Sequence, residues 1–402
     1  MDEGALPSPP DSVSGNQRLS LRELAFFFLK LGTTAFGGPA GHIAMMEDEL
    51  VRRRQWLSRE KFLDLLGASN LIPGPSSSEL AIHIGYLRAG WTGLLVAGVC
   101  FILPAACMVA ALAWAYMRFG TLPAAAAVLY GVKPVVIAVI LQALWGLGRA
   151  AVKTWLLAVA GFVSLGLAVF GLQPILLLLL VGAGVALAVR VVDAAKQQRA
   201  LSFAPLTALR PLAPAAPAAV AAFASPFSLG SLFLVFLKIG AVVFGSGYVL
   251  LAFLRADLVV QRGWLTDAQL VDAIAIGQVT PGPVFTTATF IGYLLAGARG
   301  AAVATVGIFL PAFLLVAASG PLLPRIRESK LAGAFLDGVI IASLALVAVV
   351  TWQLARASIT DGVTVAIAAA SAVALLRFRV NSAWLVLLGA LVGWLARMVP
   401  AR

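Results

Sequence analysis

Asn70-Leu71-Ile72-Pro73-Gly74-Pro75-Ser76-Ser77-Ser78 is answered, 208 residues further on, by Gln278-Val279-Thr280-Pro281-Gly282-Pro283-Val284-Phe285-Thr286-Thr287. In each stretch the first proline removes an amide donor and ends the incoming helix. The glycine admits a turn, and the second proline suits the first position of an outgoing helix. Both stand in apolar surroundings beside amide and hydroxyl side chains. A lone Pro-Gly-Pro reads as a kink that shapes packing; two in register read as a working element.

Working outward, the same offset carries Lys30-Leu31-Gly32 onto Lys238-Ile239-Gly240, Phe36-Gly37 onto Phe244-Gly245, Trp56-Leu57 onto Trp264-Leu265, and Asp64 onto Asp272. One residue is then lost. An offset of 207 carries Gly85-Tyr86 onto Gly292-Tyr293, Leu103-Pro104-Ala105 onto Leu310-Pro311-Ala312, Gly131 onto Gly338, and Trp145 onto Trp352. The chain contains itself twice. The expected organisation is a disordered tail (1–22), an N-terminal membrane repeat (23–190), a cytoplasmic linker (191–228) and a C-terminal membrane repeat (229–400).

Of the 402 residues, 61% are hydrophobic and only 11% charged, and the mean hydropathy is +0.99. A water-soluble domain is roughly 25% charged, so a soluble class is excluded. A transmembrane barrel would alternate apolar and polar residues, and 154–189 does not. The fold class is an all-α polytopic membrane protein. The net charge of +12 sits mostly between apolar runs, where basic loops set topology, and no nucleic-acid module accompanies it. Cys100 and Cys107 share a helix face as packing residues, with no further ligands nearby for a metal.

Each half offers a first helix (24–46 and 230–253), a Pro-Gly-Pro element (62–86 and 270–294) and four further spans. Those lie near 90–117, 124–148, 154–170 and 174–190, and near 300–323, 333–355, 362–377 and 381–398. If the Pro-Gly-Pro element re-enters, each half crosses five times and the second half is inverted; if it crosses, the halves run parallel. Loop charge favours inversion. Arg52–Arg54 face only Arg255 and Arg262 in the matching loop, whereas Arg325, Arg327 and Lys330 face a single Arg118. Inverted repeats with broken helices place a transporter's substrate between the repeats near the membrane midplane.

Candidate binding residues follow. The hydroxyls of Ser76, Ser77 and Thr286, the amides of Asn70 and Gln278, and the helix starts after Pro73-Gly74-Pro75 and Pro281-Gly282-Pro283 would cradle an anion. Lys30 and Lys238 each lie in an apolar run, where a charge by default marks function; the plainer reading is snorkelling to an interface. The glycine breaks at Gly37 and Gly38, and at Gly245 and Ser246, expose further amides. Glu79 and His83, four apart, suit a proton relay or a satisfied internal hydrogen bond. His42 is a weaker candidate, and Lys133 reads as helix-end snorkelling.

Taken in order, Lys-x-Gly-x-x-x-Phe-Gly-Gly-Pro-x-x-His, a basic loop ending Trp-Leu and an Asn-x-x-Pro-Gly-Pro hairpin, all duplicated, resemble the long-chain chromate ion transporter family over about residues 22–400. The resemblance implies a bacterial inner-membrane permease exporting chromate and giving chromate resistance, with Lys30, Gly37, Gly38, Pro39, His42, Asn70, Pro73, Gly74 and Pro75 at its motif positions. The second half departs at Ser246, Gly247, Leu250 and Gln278. The alternative is a sulfate or other tetrahedral-oxyanion permease, since equal charge and similar shape leave little to discriminate by. A channel and a membrane-embedded enzyme are weaker classes. No cofactor, metal or nucleic acid is expected; the partners are the oxyanion, the lipid bilayer and, as an assembly left open, a second copy in a homodimer.

Overall fold

A computed structural model describes residues 20–36, 38–120, 122–200, 227–244, 247–319, 329–378 and 380–398, without side chains for 195–200. Residues 1–19 of the expected tail, most of the linker, Arg325 and Arg327, and the candidate residues Gly37, Gly245 and Ser246 lie outside the described residues, while 20–22, read as tail, begin the first helix. Within them the chain is helical, without a strand.

The helices begin where the local chemistry allows. Ser20 caps α1 (Leu21–Thr34) by accepting from the Glu23 amide, and Ser58 caps α3 (Arg59–Ser69). Between them lie α2 (Gly38–Glu47) and a π-helical turn (Asp48–Arg53). The first helix is therefore broken after Thr34, with Gly38 at φ +66°. Next come α4 (Ser76–Phe119), α5 (Pro123–Ala151), α6 (Trp155–Val169) and α7 (Pro174–Ala200), the last continuing into the segment read as linker.

The second half repeats the order. It runs through α8 (Leu229–Val242), α9 (Val249–Leu254), a π-helical turn (Arg255–Gln261) and α10 (Asp267–Val279), with capping boxes at Ser228 and Thr266. A 3₁₀ turn (Val284–Thr286) leads into α11 (Thr287–Ser319), followed by α12 (Lys330–Ser358), α13 (Gly362–Phe378) and α14 (Ser382–Met398).

Two of these helices are each a pair of arms. In α4 the backbone leaves helical geometry at Ala89 and Gly90 (φ +61°, ψ −146°), and in α11 at Ala296 and Gly297 (φ +61°, ψ −151°). Only glycine adopts that conformation readily. The arms fold back side by side, so a Cβ added to Gly85 would strike Gly93, and one added to Gly292 would strike Gly300.

The halves interlock reciprocally. α12 packs on α6 and α7, as α5 packs on α13 and α14; α4 meets α11, and α5 meets α12. Gly131 seats against Gly389 and Gly393 without room for a side chain, as Gly338 seats against Gly182. Five helices are long and apolar enough to cross a membrane. Their outward faces carry Trp91, Trp114, Trp145 and Trp352, all more than half exposed.

Candidate functional site

The two Pro-Gly-Pro loops dock, each on the other half. The Gly74 amide donates to the Val243 carbonyl at 2.7 Å, and the Gly282 amide donates to the Ala35 carbonyl at 2.9 Å. Both carbonyls belong to the cap residues ending α8 and α1, where the first helix of each half breaks. Left-handed φ (+139° at Gly74, +93° at Gly282) explains the glycines. A Cβ on Gly282 would also sit 2.5 Å from the Ala105 side chain and 3.0 Å from the Gly32 carbonyl. The glycine amides are thus engaged across the seam, and the remaining donors must come from the helix starts and side chains.

At the second loop Thr280, Thr286 and Thr287 donate to the carbonyls of Ile276, Pro283 and Val284, each at 2.8 Å. Their hydroxyl hydrogens are spent on the backbone. Pro281 to Phe290 are buried without exception. The donor left there is the buried Gln278 Nε2, which has no partner. At the first loop Ser78 Oγ is likewise buried and unpartnered, while Asn70 ends α3 with its side chain exposed.

His42 has a larger part than its sequence suggested. It is fully buried, its Nε2 lies 3.2 Å from the Ala35 carbonyl, and its Nδ1 lies 3.2 Å from Ser77 Oγ. A carbonyl only accepts, so Nε2 carries the proton, and in the neutral ring Nδ1 accepts from the serine hydroxyl. The imidazole therefore joins three pieces: the carbonyl that holds Gly282, the α2 helix, and the outgoing arm of the first loop. At the mirrored carbonyl the corresponding residue is Leu250, so that node lacks the link.

The lysines differ from one another. Lys238 forms an ion pair with Asp257, a 2%-exposed carboxylate in the π-helical turn. Lys30 forms no ion pair among the described residues. It borders a cavity of about 300 Å³ with Phe27, Thr34, Met45, Asp48, Glu49 and Arg53, none of them from a Pro-Gly-Pro loop. A second cavity of about 200 Å³ reaches Phe244 and Val249, which bracket the second break, with Lys153, Asp337 and Ser343. Each cavity thus adjoins one helix break, and the loops lie in the packed seam.

Lys133 does not snorkel. Its ammonium pairs with Asp272 at 3.0 Å, and Tyr116 donates to the same carboxylate at 2.9 Å. The cause is a buried carboxylate supplied by α10, which answers the lysine's charge inside the fold. No hydrogen bond joins Glu79 to His83: both Glu79 oxygens and His83 Nε2 are buried without partners. Asp257, Asp272 and Tyr116 were missed as site-region residues. Asp257 was discoverable as an acidic residue in an apolar run, matching Glu49 at the 208 offset.

Capped apolar helices, five of them long enough to cross a bilayer, and broken helix ends brought together at one seam define a multi-pass α-helical membrane protein. The family model described as chromate transporter matches residues 22–188 and 230–394. The chain belongs to the chromate transporter family. It is 34% identical to the chromate transport protein of Cupriavidus metallidurans, over 97% of this chain and 98% of that one. To the chromate transport protein of Pseudomonas aeruginosa it is 33% identical, over 94% and 92%. The uncharacterized transporter YwrA of Bacillus subtilis is 29% identical over 39% of this chain but 89% of its own length, a relative the size of one half. No solved structure matches the chain.

Proposed function

We propose that this protein is a secondary transporter that exports chromate across the bacterial inner membrane and so gives chromate resistance. Two inverted-topology repeats alternate around a site at the Pro-Gly-Pro loops. The substrate class comes from the family and its chromate transport proteins. The observation that carries the mechanism is the reciprocal docking of the loops, Gly74 on Val243 and Gly282 on Ala35. Each half's broken element is held by the other half's broken helix, so rocking one half against the other must remodel both loops together.

Re-entrance of the Pro-Gly-Pro elements is supported by Gly277 and Thr287. These residues flank the second loop ten positions apart, yet a Cβ on Gly277 would overlap the Thr287 hydroxyl. A helix running straight on would separate them by about 15 Å. In this scheme the helix starts at Ser76 and Val284, with the unpartnered Ser78 and Gln278, receive the tetrahedral dianion when the seam opens. Lys30 attracts it at the first break. For an interior-negative cell, outward movement of negative charge is favourable by about 2.3 kcal/mol per charge per 100 mV.

Radiolabelled chromate uptake into everted vesicles tests this reading. The full chain should load chromate, and cells carrying it should tolerate chromate. Sulfate uptake without chromate uptake would make the protein a sulfate permease instead.

A further inference from the structure

Glu79 is fully buried, and neither of its carboxylate oxygens has a hydrogen-bond partner. It sits one turn into the first arm of α4, with Oε1 in the space that a Cβ on Gly74 would need. The carboxyl group therefore lies against the Pro-Gly-Pro loop, at the helix end that would receive the oxyanion. Apart from charges at their outer ends, the packed elements carry Lys30 (α1), His42 (α2), Asp64 (α3), Asp272 (α10) and Arg299 (α11), with His83 on the arm itself. None of them bonds to Glu79. The second half has no counterpart: both threonines at the matching offsets, Thr286 and Thr287, are satisfied by backbone carbonyls.

Two facts of electrostatics follow. A buried ion with no partner is costly, and two like charges that share a site disfavour each other. A dianion at this helix end and a charge on Glu79 are mutually exclusive. We propose that Glu79 is the transporter's proton site, and that the oxyanion and one proton cross together. This rests on the loops being the oxyanion site.

When the seam opens to water without substrate, the ionised Glu79 takes the positive helix end itself. An arriving oxyanion displaces it, and an O–H bond forms on a Glu79 oxygen with a proton drawn from the water on that side. When the anion leaves on the other side, that O–H bond breaks and the proton passes to the water there. No other bond changes. The carboxylate acts as a stand-in anion, which makes binding of proton and anion mutually favourable. Because only the first half carries the group, one proton accompanies each anion.

The test uses the full-length protein in liposomes with the membrane potential clamped, reading radiolabelled chromate entry and lumenal pH together. Wild-type protein is expected to acidify the lumen as chromate enters. Glu79→Gln is expected to exchange chromate for chromate while its proton signal is lost. Chromate entry without acidification, entry with alkalinisation, or a proton signal that survives in Glu79→Gln would overturn the proposal. Absence of any chromate flux in the wild type would instead overturn the oxyanion reading beneath it, and this proposal with it. Should Glu79→Gln fail to insert, the wild-type pH trace still decides.

Discussion

Lys238→Ala would strand Asp257 as a buried carboxylate without its cation. Removing one partner of a fully buried pair costs roughly 3–5 kcal/mol, and about half that is expected here because the lysine side chain is one-third exposed. Thermal unfolding in detergent should show a clear loss for Lys238→Ala, largely recovered in the Lys238→Ala/Asp257→Ala double variant. Lys30→Ala, which breaks no ion pair, should melt like the wild type yet lose chromate flux in vesicles. Equal stability losses at both lysines would refute this division. His42→Leu copies the mirrored residue Leu250 and removes both of the imidazole's hydrogen bonds. At about 1 kcal/mol for each neutral bond, flux should fall by about thirtyfold, and His42→Gln, which can still donate to the Ala35 carbonyl, should recover part of it. At this scale the sequence was a partial guide. It marked Lys30, Lys238 and His42 by residue type and duplication. Whether a charge is answered depends on side chains brought in from other elements, as Asp272 is to Lys133, and no periodicity encodes that.

The broken elements are where glycine's freedom is used. Gly297 has a left-handed φ but open space around it, so Gly297→Ala should cost only backbone strain, on the order of 1–3 kcal/mol, and leave a transporting protein. Gly282→Ala adds a collision with Ala105 and the Gly32 carbonyl across the seam, and should abolish flux even in protein that inserts. Melting curves and vesicle flux for the pair check both outcomes. Element positions were largely legible beforehand, because Ser and Thr caps, apolar runs and prolines are local signals. The break at Ala89–Gly90 was legible too, falling between the expected segments 62–86 and 90–117, whereas the left-handed Gly90 and the close approach of Gly85 to Gly93 were not, because contact between two arms leaves no local signal. Nor did the sequence disclose that the loop glycines donate to Val243 and Ala35, because those acceptors are backbone carbonyls.

Across the described residues, the main helix pairings of one half have partners in the other, down to Gly131 against Gly389 and Gly338 against Gly182. Arg54 lies 5.0 Å over the Trp56 ring, as Arg262 does over Trp264. In the inverted scheme these two cation–π pairs mark opposite membrane faces, and the Pro-Gly-Pro loops meet between them. Glu60 and Ala268 are exposed residues at matching positions in α3 and α10. The decisive measurement places a single cysteine at each in turn, with Cys100 and Cys107 replaced, and labels intact cells with a membrane-impermeant maleimide. The account predicts that Ala268→Cys is labelled from outside, whereas Glu60→Cys is labelled only after the cells are opened. Labelling of both from the same side would mean that the halves are threaded alike, and would contradict it.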